Sequence, residues 1–92
     1  MAHQLLEGRA RKNPEQPRGI IAERVRLARA ARGWSQAKLC SVIERTSRRR
    51  VTGPWLAAYE TGRRRPSVPV LCDLADALEV SLDYLTGRSE TP

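Results

Sequence analysis

From Ile20 onward the apolar positions recur at helical spacing. Ile21, Val25 and Ala28 fall four and three residues apart, while Arg24, Arg26, Arg29 and Arg32 occupy much of the remaining surface. Gly33 stands where a glycine commonly ends a helix. Ser35 then suits the cap of a second helix, with Leu39 and Ile43 inward and Cys40 beside them. Residues 44–51, Glu-Arg-Thr-Ser-Arg-Arg-Arg-Val, break the apolar pattern and read as a basic connection. Thr52 is placed to cap a third helix, in which Pro54 is tolerated because first-turn N–H groups lack intrahelical acceptors. Leu56 and Tyr59 face the core of that helix, and Gly62 stops it. A basic turn follows, Arg63-Arg64-Arg65-Pro66, before Ser67 caps a fourth helix with Val70, Leu71, Leu74, Ala75 and Leu78 as its stripe. Ser81 caps a short fifth helix through Leu82 and Leu85, closed by Gly87. Five short helices without a strand pattern predict an all-α domain over residues 20–87, with 88–92 as a tail.

Residues 1–19 lack this periodicity and contain Gly8, Pro14 and Pro17 among polar groups, which predicts a flexible basic arm. Composition agrees with packed helices. The chain of 92 residues has room for one domain, and it has no Phe. Its large aromatics are Trp34, Trp55, Tyr59 and Tyr84, so Leu, Val, Ile and Ala must fill the core. No apolar run approaches the roughly 18 residues that a bilayer span requires. Leu5 and Leu6 are followed at once by charges, which argues against a signal-peptide core and for a cytoplasmic protein. In that compartment Cys40 and Cys72 are expected to be small buried apolar side chains without a disulfide. No C-x-x-C occurs, and His3 lies in the polar arm, so neither metal nor cofactor is expected.

Charge narrows the class of partner. Residues 18–65 carry thirteen basic and three acidic groups, whereas residues 66–92 carry one basic and five acidic ones. A basic block followed by an acidic end presents one positive face, whose natural partner is a polyanion, nucleic acid ahead of any anionic membrane. With a single histidine in the arm, no carboxylate pair in a credible cleft and no glycine-rich phosphate loop, an enzyme is not expected. The aromatic stacking platform of small RNA-binding modules is missing as well, which favours duplex DNA.

Several short segments, in order, carry a family resemblance: Ile21-Ala-Glu-Arg-Val-Arg, Gly33-Trp-Ser-Gln, Leu56-Ala-Ala-Tyr-Glu-Thr-Gly, Arg65-Pro-Ser and Leu74-Ala-Asp-Ala-Leu-Glu-Val-Ser-Leu-Asp-Tyr-Leu-Thr-Gly. Over residues 20–87 the chain resembles the Cro and phage-repressor (XRE-type) helix-turn-helix family. The resemblance implies that Gln36, at the start of the second helix, donates to a DNA phosphate beside the positive helix end. It implies that Arg29 and Glu60 form an ion pair orienting the third helix, and that this helix reads bases in the major groove. It also places a homodimer surface around Val80, Leu82, Tyr84 and Leu85. With no ligand-sensing domain expected after the last helix, control by a small effector is not expected.

The chain departs from the family pattern in two places. Its base-reading positions correspond to Gly53, Pro54, Trp55 and Ala58, following the cap Thr52, and none offers a bidentate hydrogen-bonding group. Gly53 and Pro54 can only pack, for instance on a thymine methyl, while Trp55 has one indole N–H and is equally suited to the core, a dimer contact or DNA. The link between the second and third helices is also longer than usual and contains Arg45, Arg48, Arg49 and Arg50. Either a lengthened helix carries these arginines to phosphates, or a loop inserts one into a groove. Arg63, Arg64 and Arg65 are expected on the DNA backbone or in the minor groove, and Arg9, Arg11, Lys12 and Arg18 add contacts without sequence preference. The leading function is sequence-specific regulation of transcription on double-stranded DNA. The alternatives are a protein-interaction module on the same fold, such as an antitoxin or accessory factor, and nonspecific architectural DNA binding.

Overall fold

Hydroxyl caps set where most of the helices begin. The computed structural model describes residues 19–92, in which α1 (Ile20–Ala31), α2 (Gln36–Ser47), α3 (Gly53–Thr61), α4 (Val68–Leu78) and α5 (Leu82–Thr86) follow one another without a strand. Ser35 Oγ accepts from the Lys38 amide at 3.0 Å and Ser81 Oγ from the Tyr84 amide at 3.0 Å. Thr52 Oγ1 and Ser67 Oγ do the same for Trp55 and Val70, each at 3.4 Å. Each cap satisfies one of the amides that the first helical turn leaves without an acceptor. The expected all-α class and its five helices are therefore observed.

The ends of the helices differ from one another. Gly87 closes α5 at φ 86°, and a Cβ there would lie 3.1 Å from Ile20, so both backbone and packing require glycine. In α2 and α4 the left-handed position is instead held by Arg48 (φ 61°) and Glu79 (φ 58°), side chains that adopt it at a cost. The second helix also runs through Ser47, four residues into the stretch that sequence pattern assigned to the connection. Its polar last turn holds because Thr46 and Ser47 donate their hydroxyls back to the Val42 and Ile43 carbonyls, each at 2.8 Å. The inserted residues divide between a lengthened α2 and a short irregular connection over 48–52. That connection is pinned by Val51, which is buried with the core.

One core joins all five helices. Val25 from α1, Leu39 and Ile43 from α2, Leu56 from α3, Leu74 and Leu78 from α4, and Leu85 from α5 are fully buried. α1 packs on α3 and α5, and α2 packs on α4 and α3, so α3 is held from two sides near the surface. Among the described residues no helix is long and apolar enough to cross a membrane.

Several side chains sit elsewhere than expected. Cys40 and Cys72 are half-buried rather than buried. Leu85 is fully enclosed in its own core, which removes it from any surface shared with a second copy; Leu82 remains exposed. Arg24, assigned to the polar face, is only 8% exposed. Its guanidinium lies 4.3 Å from the Tyr84 ring centre and donates to the Tyr84 carbonyl at 2.8 Å and the Ser89 carbonyl at 3.0 Å. These carbonyls belong to the last turn of α5 and the segment after it, where a cation replaces missing helical donors. Arg24 thus ties residues 84–89 to α1.

Candidate nucleic-acid interface

The orientation of α3 is set by a buried carboxylate. Glu60, 4% exposed, sits in the last turn of α3. It accepts from Arg29 Nε of α1 at 2.6 Å, from Arg29 Nη2 at 2.9 Å and from Gln36 Nε2 of α2 at 3.1 Å. Arg29 also donates through Nη1 to the Trp34 carbonyl at 2.7 Å, between α1 and α2. A planar guanidinium meeting both carboxylate oxygens fixes direction as well as distance. The hydrogen bond to Glu60 holds the Arg29 guanidinium above its ordinary value, against the opposing effect of burial. Three helices therefore meet at one charged group, and α3 has little freedom to rotate against α1 and α2. Gln36 spends one amide N–H on Glu60, which leaves the second N–H and the amide oxygen for another partner.

The start of α3 projects outward with almost no hydrogen-bonding capacity. Thr52, Gly53, Pro54 and Trp55 are exposed, and Ala58 is half-buried. The Trp55 side chain is 44% exposed, so it is not a core filler. Its ring centre lies 6.2 Å from that of buried Tyr59, tilted by 55°. Arg64, from the turn after α3, places its guanidinium 3.9 Å from the indole centre. Trp55 thus lies with the basic groups, not on an apolar patch apart from them.

Arginines flank this surface before and after α3. Arg45 lies exposed in the last turn of α2, and Arg48 is its exposed left-handed cap. Arg50 is exposed and lines an open groove with Gln36, Cys40, Glu44, Thr52 and Gly53, bringing the connection alongside the start of α3. Arg49 is different: its guanidinium is paired with Asp73 of α4, so part of its charge is already neutralised within the fold. After α3, Arg63, Arg64 and Arg65 are exposed. The Arg63 and Arg64 amides both donate to the Ala58 carbonyl, at 3.0 and 3.2 Å, which fixes the turn that carries them. Arg9, Arg11, Lys12 and Arg18 lie outside the described residues.

Cys40, within the groove, has a thiol pushed up from its usual range by burial and, secondarily, by the charge of Glu60. Among the described residues, no group of three His, Cys, Asp or Glu side chains is arranged to hold a metal ion.

The resemblance implied the Arg29–Glu60 pair and gave Gln36 a separate role on a DNA phosphate, whereas the structure joins all three in one cluster. Sequence reading missed the Arg24 anchor and the Arg49–Asp73 pair, although a signal existed for both. Arg24 falls three residues after Ile21 and four before Ala28, on the apolar stripe of α1. Asp73 stands three after Val70 and four before Ala77 on α4 in the same way. A charge on a buried stripe requires a partner, and both have one.

Residues 20–88 match the model of the helix-turn-helix domain family. No curated protein is similar to the chain in sequence. The restriction-modification controller protein C.AhdI from Aeromonas hydrophila is similar in structure, with a TM-score of 0.61 and 26% identity over 71% of this chain and 89% of that one. The hypothetical transcription factor NHTF from Neisseria shares the fold, with a TM-score of 0.65 and 24% identity over 80% of this chain and 78% of that one. The helices tied at Glu60, the exposed start of α3 and the matched residues together have one explanation: the chain belongs to the helix-turn-helix domain family, in the Cro and phage-repressor type, and is a DNA-binding protein.

Proposed function

We propose that the chain is a sequence-specific regulator of transcription that sets α3 into the major groove of double-stranded DNA. Support comes chiefly from one observation: the exposed start of α3 has Arg50 beside Thr52 and Gly53 and Arg64 over Trp55, with Arg45, Arg48, Arg63 and Arg65 exposed in the same flanking segments of the chain. Phosphates on either side of a groove take these cations, together with the remaining N–H of Gln36, while Thr52, Gly53, Pro54, Trp55 and Ala58 face base edges. Arg49 contributes less, because Asp73 already shares its charge. Two copies bind a dyad site, meeting through exposed Leu82 and the neighbouring Val80 and Tyr84. The protein acts in the cytoplasm, on the nucleoid. The similarity to a restriction-modification controller protein agrees with a regulatory role.

A second reading, nonspecific architectural binding, is favoured by the lack of bidentate groups at the start of α3. Selection from a random duplex library, followed by competition against scrambled DNA at physiological salt, separates the two. Enrichment of a dyad motif supports the regulator, and equal affinity for unrelated duplexes refutes it. The salt dependence tests the cation assignment, since each phosphate contact contributes about −0.9 to the slope of log K against log salt. Replacing Arg48 and Arg50 with Ala should flatten that slope by about 2, and Arg49→Ala by less. An unchanged slope in the double variant removes these arginines from the interface.

A further inference from the structure

The bare start of α3 leaves open how bases would be told apart. Base pairs differ in the major groove by hydrogen-bond donors and acceptors and by the 5-methyl group of thymine. The exposed positions of α3 match the first feature poorly. The Thr52 hydroxyl already accepts from the Trp55 amide, Gly53 and Pro54 have no side-chain donor, and Trp55 has one.

Those positions match the second feature well. Trp55 is a large apolar surface held in place: its ring leans on buried Tyr59, and the Arg64 guanidinium lies 3.9 Å from its centre. The side chain remains 44% exposed despite both contacts. Two residues earlier, Gly53 opens the helix, and apart from its chain neighbours a Cβ there would meet nothing within 4 Å. Glycine has a local use here, since a residue with a Cβ is disfavoured in helical conformation before a proline, while nothing from elsewhere in the fold fills the place of a side chain. The space it leaves admits the close approach of another molecule. The arginines on either side make that molecule an anion, which distinguishes a duplex from an apolar protein surface.

We propose that Trp55, stacked with Arg64, is the specificity-determining element of this surface and reads the 5-methyl group of thymine, with Gly53 leaving room for the base edge. The inference rests on the binding of duplex DNA proposed above. Arg64 has two effects: it restrains the indole, and its planar N–H edge stays available to a phosphate or base.

The test uses the full chain and a duplex enriched from a random library, beside the same duplex with deoxyuridine for each thymine. Deoxyuridine keeps the hydrogen-bonding edge and lacks only the methyl. One buried methyl is worth about 0.8 kcal/mol, or about fourfold in affinity at 1.4 kcal/mol per tenfold. The expected result is at least that loss with the deoxyuridine duplex. It should vanish in Trp55→Ala and shrink in Arg64→Lys, which keeps the charge but not the planar stack. Gly53→Ala, the smallest side chain that fills the space, should weaken binding to the thymine duplex while the fold, followed by circular dichroism, stays intact. Should Trp55→Ala fail to fold, Trp55→Leu takes its place, with a reduced ratio expected. Equal affinity of the unaltered protein for both duplexes overturns the methyl reading and leaves DNA binding standing. A thymine preference undiminished in the Trp55 variants assigns it to DNA shape and also overturns the inference. Failure to bind any duplex overturns this inference together with the proposed function.

Discussion

Removing the carboxylate of Glu60 strands donors on two other helices at once. In Glu60→Ala, Arg29 loses two bonds, of 2.6 and 2.9 Å, and Gln36 loses one of 3.1 Å. The Arg29 side chain is 18% exposed, so its charge cannot fully rehydrate without displacing its neighbours. Breaking a buried pair by deleting one partner costs about 3–5 kcal/mol. Arg29 keeps its bond to the Trp34 carbonyl and some contact with water, which places the loss near the low end, about 3 kcal/mol. Small domains are stable by only about 5–15 kcal/mol, so the variant should still fold but lie close to its limit. With an m value of about 1 kcal/mol/M, the urea midpoint should fall by roughly 3 M. Heating should show a decrease of roughly 12–24 °C in Tm. The companion variant is Arg29→Met with Glu60→Leu, which removes both charges and keeps apolar bulk. It should recover most of the loss, because no unpaired charge then remains buried. A loss below about 1 kcal/mol in Glu60→Ala would place the pair among solvated surface pairs and refute the account of how α3 is held.

Three further outcomes follow from other parts of the fold. Arg48→Gly relieves a left-handed non-glycine cap and should stabilise the domain by about 0.5–1 kcal/mol in urea titration, while lowering affinity for DNA. Unchanged or reduced stability would mean that the Arg48 side chain offsets its own backbone cost. Arg24→Ala removes two bonds to backbone carbonyls and the contact with Tyr84, at a cost of about 2–3 kcal/mol. Hydrogen exchange should accelerate first at amides 84–89, and unaltered exchange there would contradict the anchoring role. The Cys40 thiol is raised by burial and by Glu60, so the folded protein holds this proton more tightly than the unfolded chain does. Its contribution to stability is full below the ordinary thiol range and is lost as pH rises through the higher folded value. Iodoacetamide should therefore modify Cys40 more slowly in the folded protein than in urea at the same mildly alkaline pH, and equal rates would argue against the shift.

Local chemistry carried a good part of the fold. Ser35, Thr52, Ser67 and Ser81 cap helices because a hydroxyl two or three residues ahead of a bare amide needs nothing distant. The apolar stripes of α1, α2 and α4 are likewise legible, since a period of 3.6 residues brings one face inward whatever it packs against. The clustering of thirteen basic residues in 18–65 made a polyanion the natural partner from sequence alone.

Charge pairing and exposure were decided by distant parts of the chain. Nothing near Arg49 announces that Asp73, 24 residues later, will take up part of its charge. Arg24 turns inward because Tyr84 and Ser89, 60 and 65 residues away, present carbonyls beside α1. Leu82 and Leu85 look alike in a list of apolar residues, yet α5 packs so that Leu85 is enclosed and Leu82 stays exposed. The exposure of Trp55 was decided by Tyr59 against its ring and Arg64 over it, an arrangement that exists only after α3 and the following turn fold together. A hydrogen-bonded cap depends on neighbours along the chain, so sequence determines it. The partner of a charge and the covering of a side chain depend on which helices meet, and only the tertiary structure decides that.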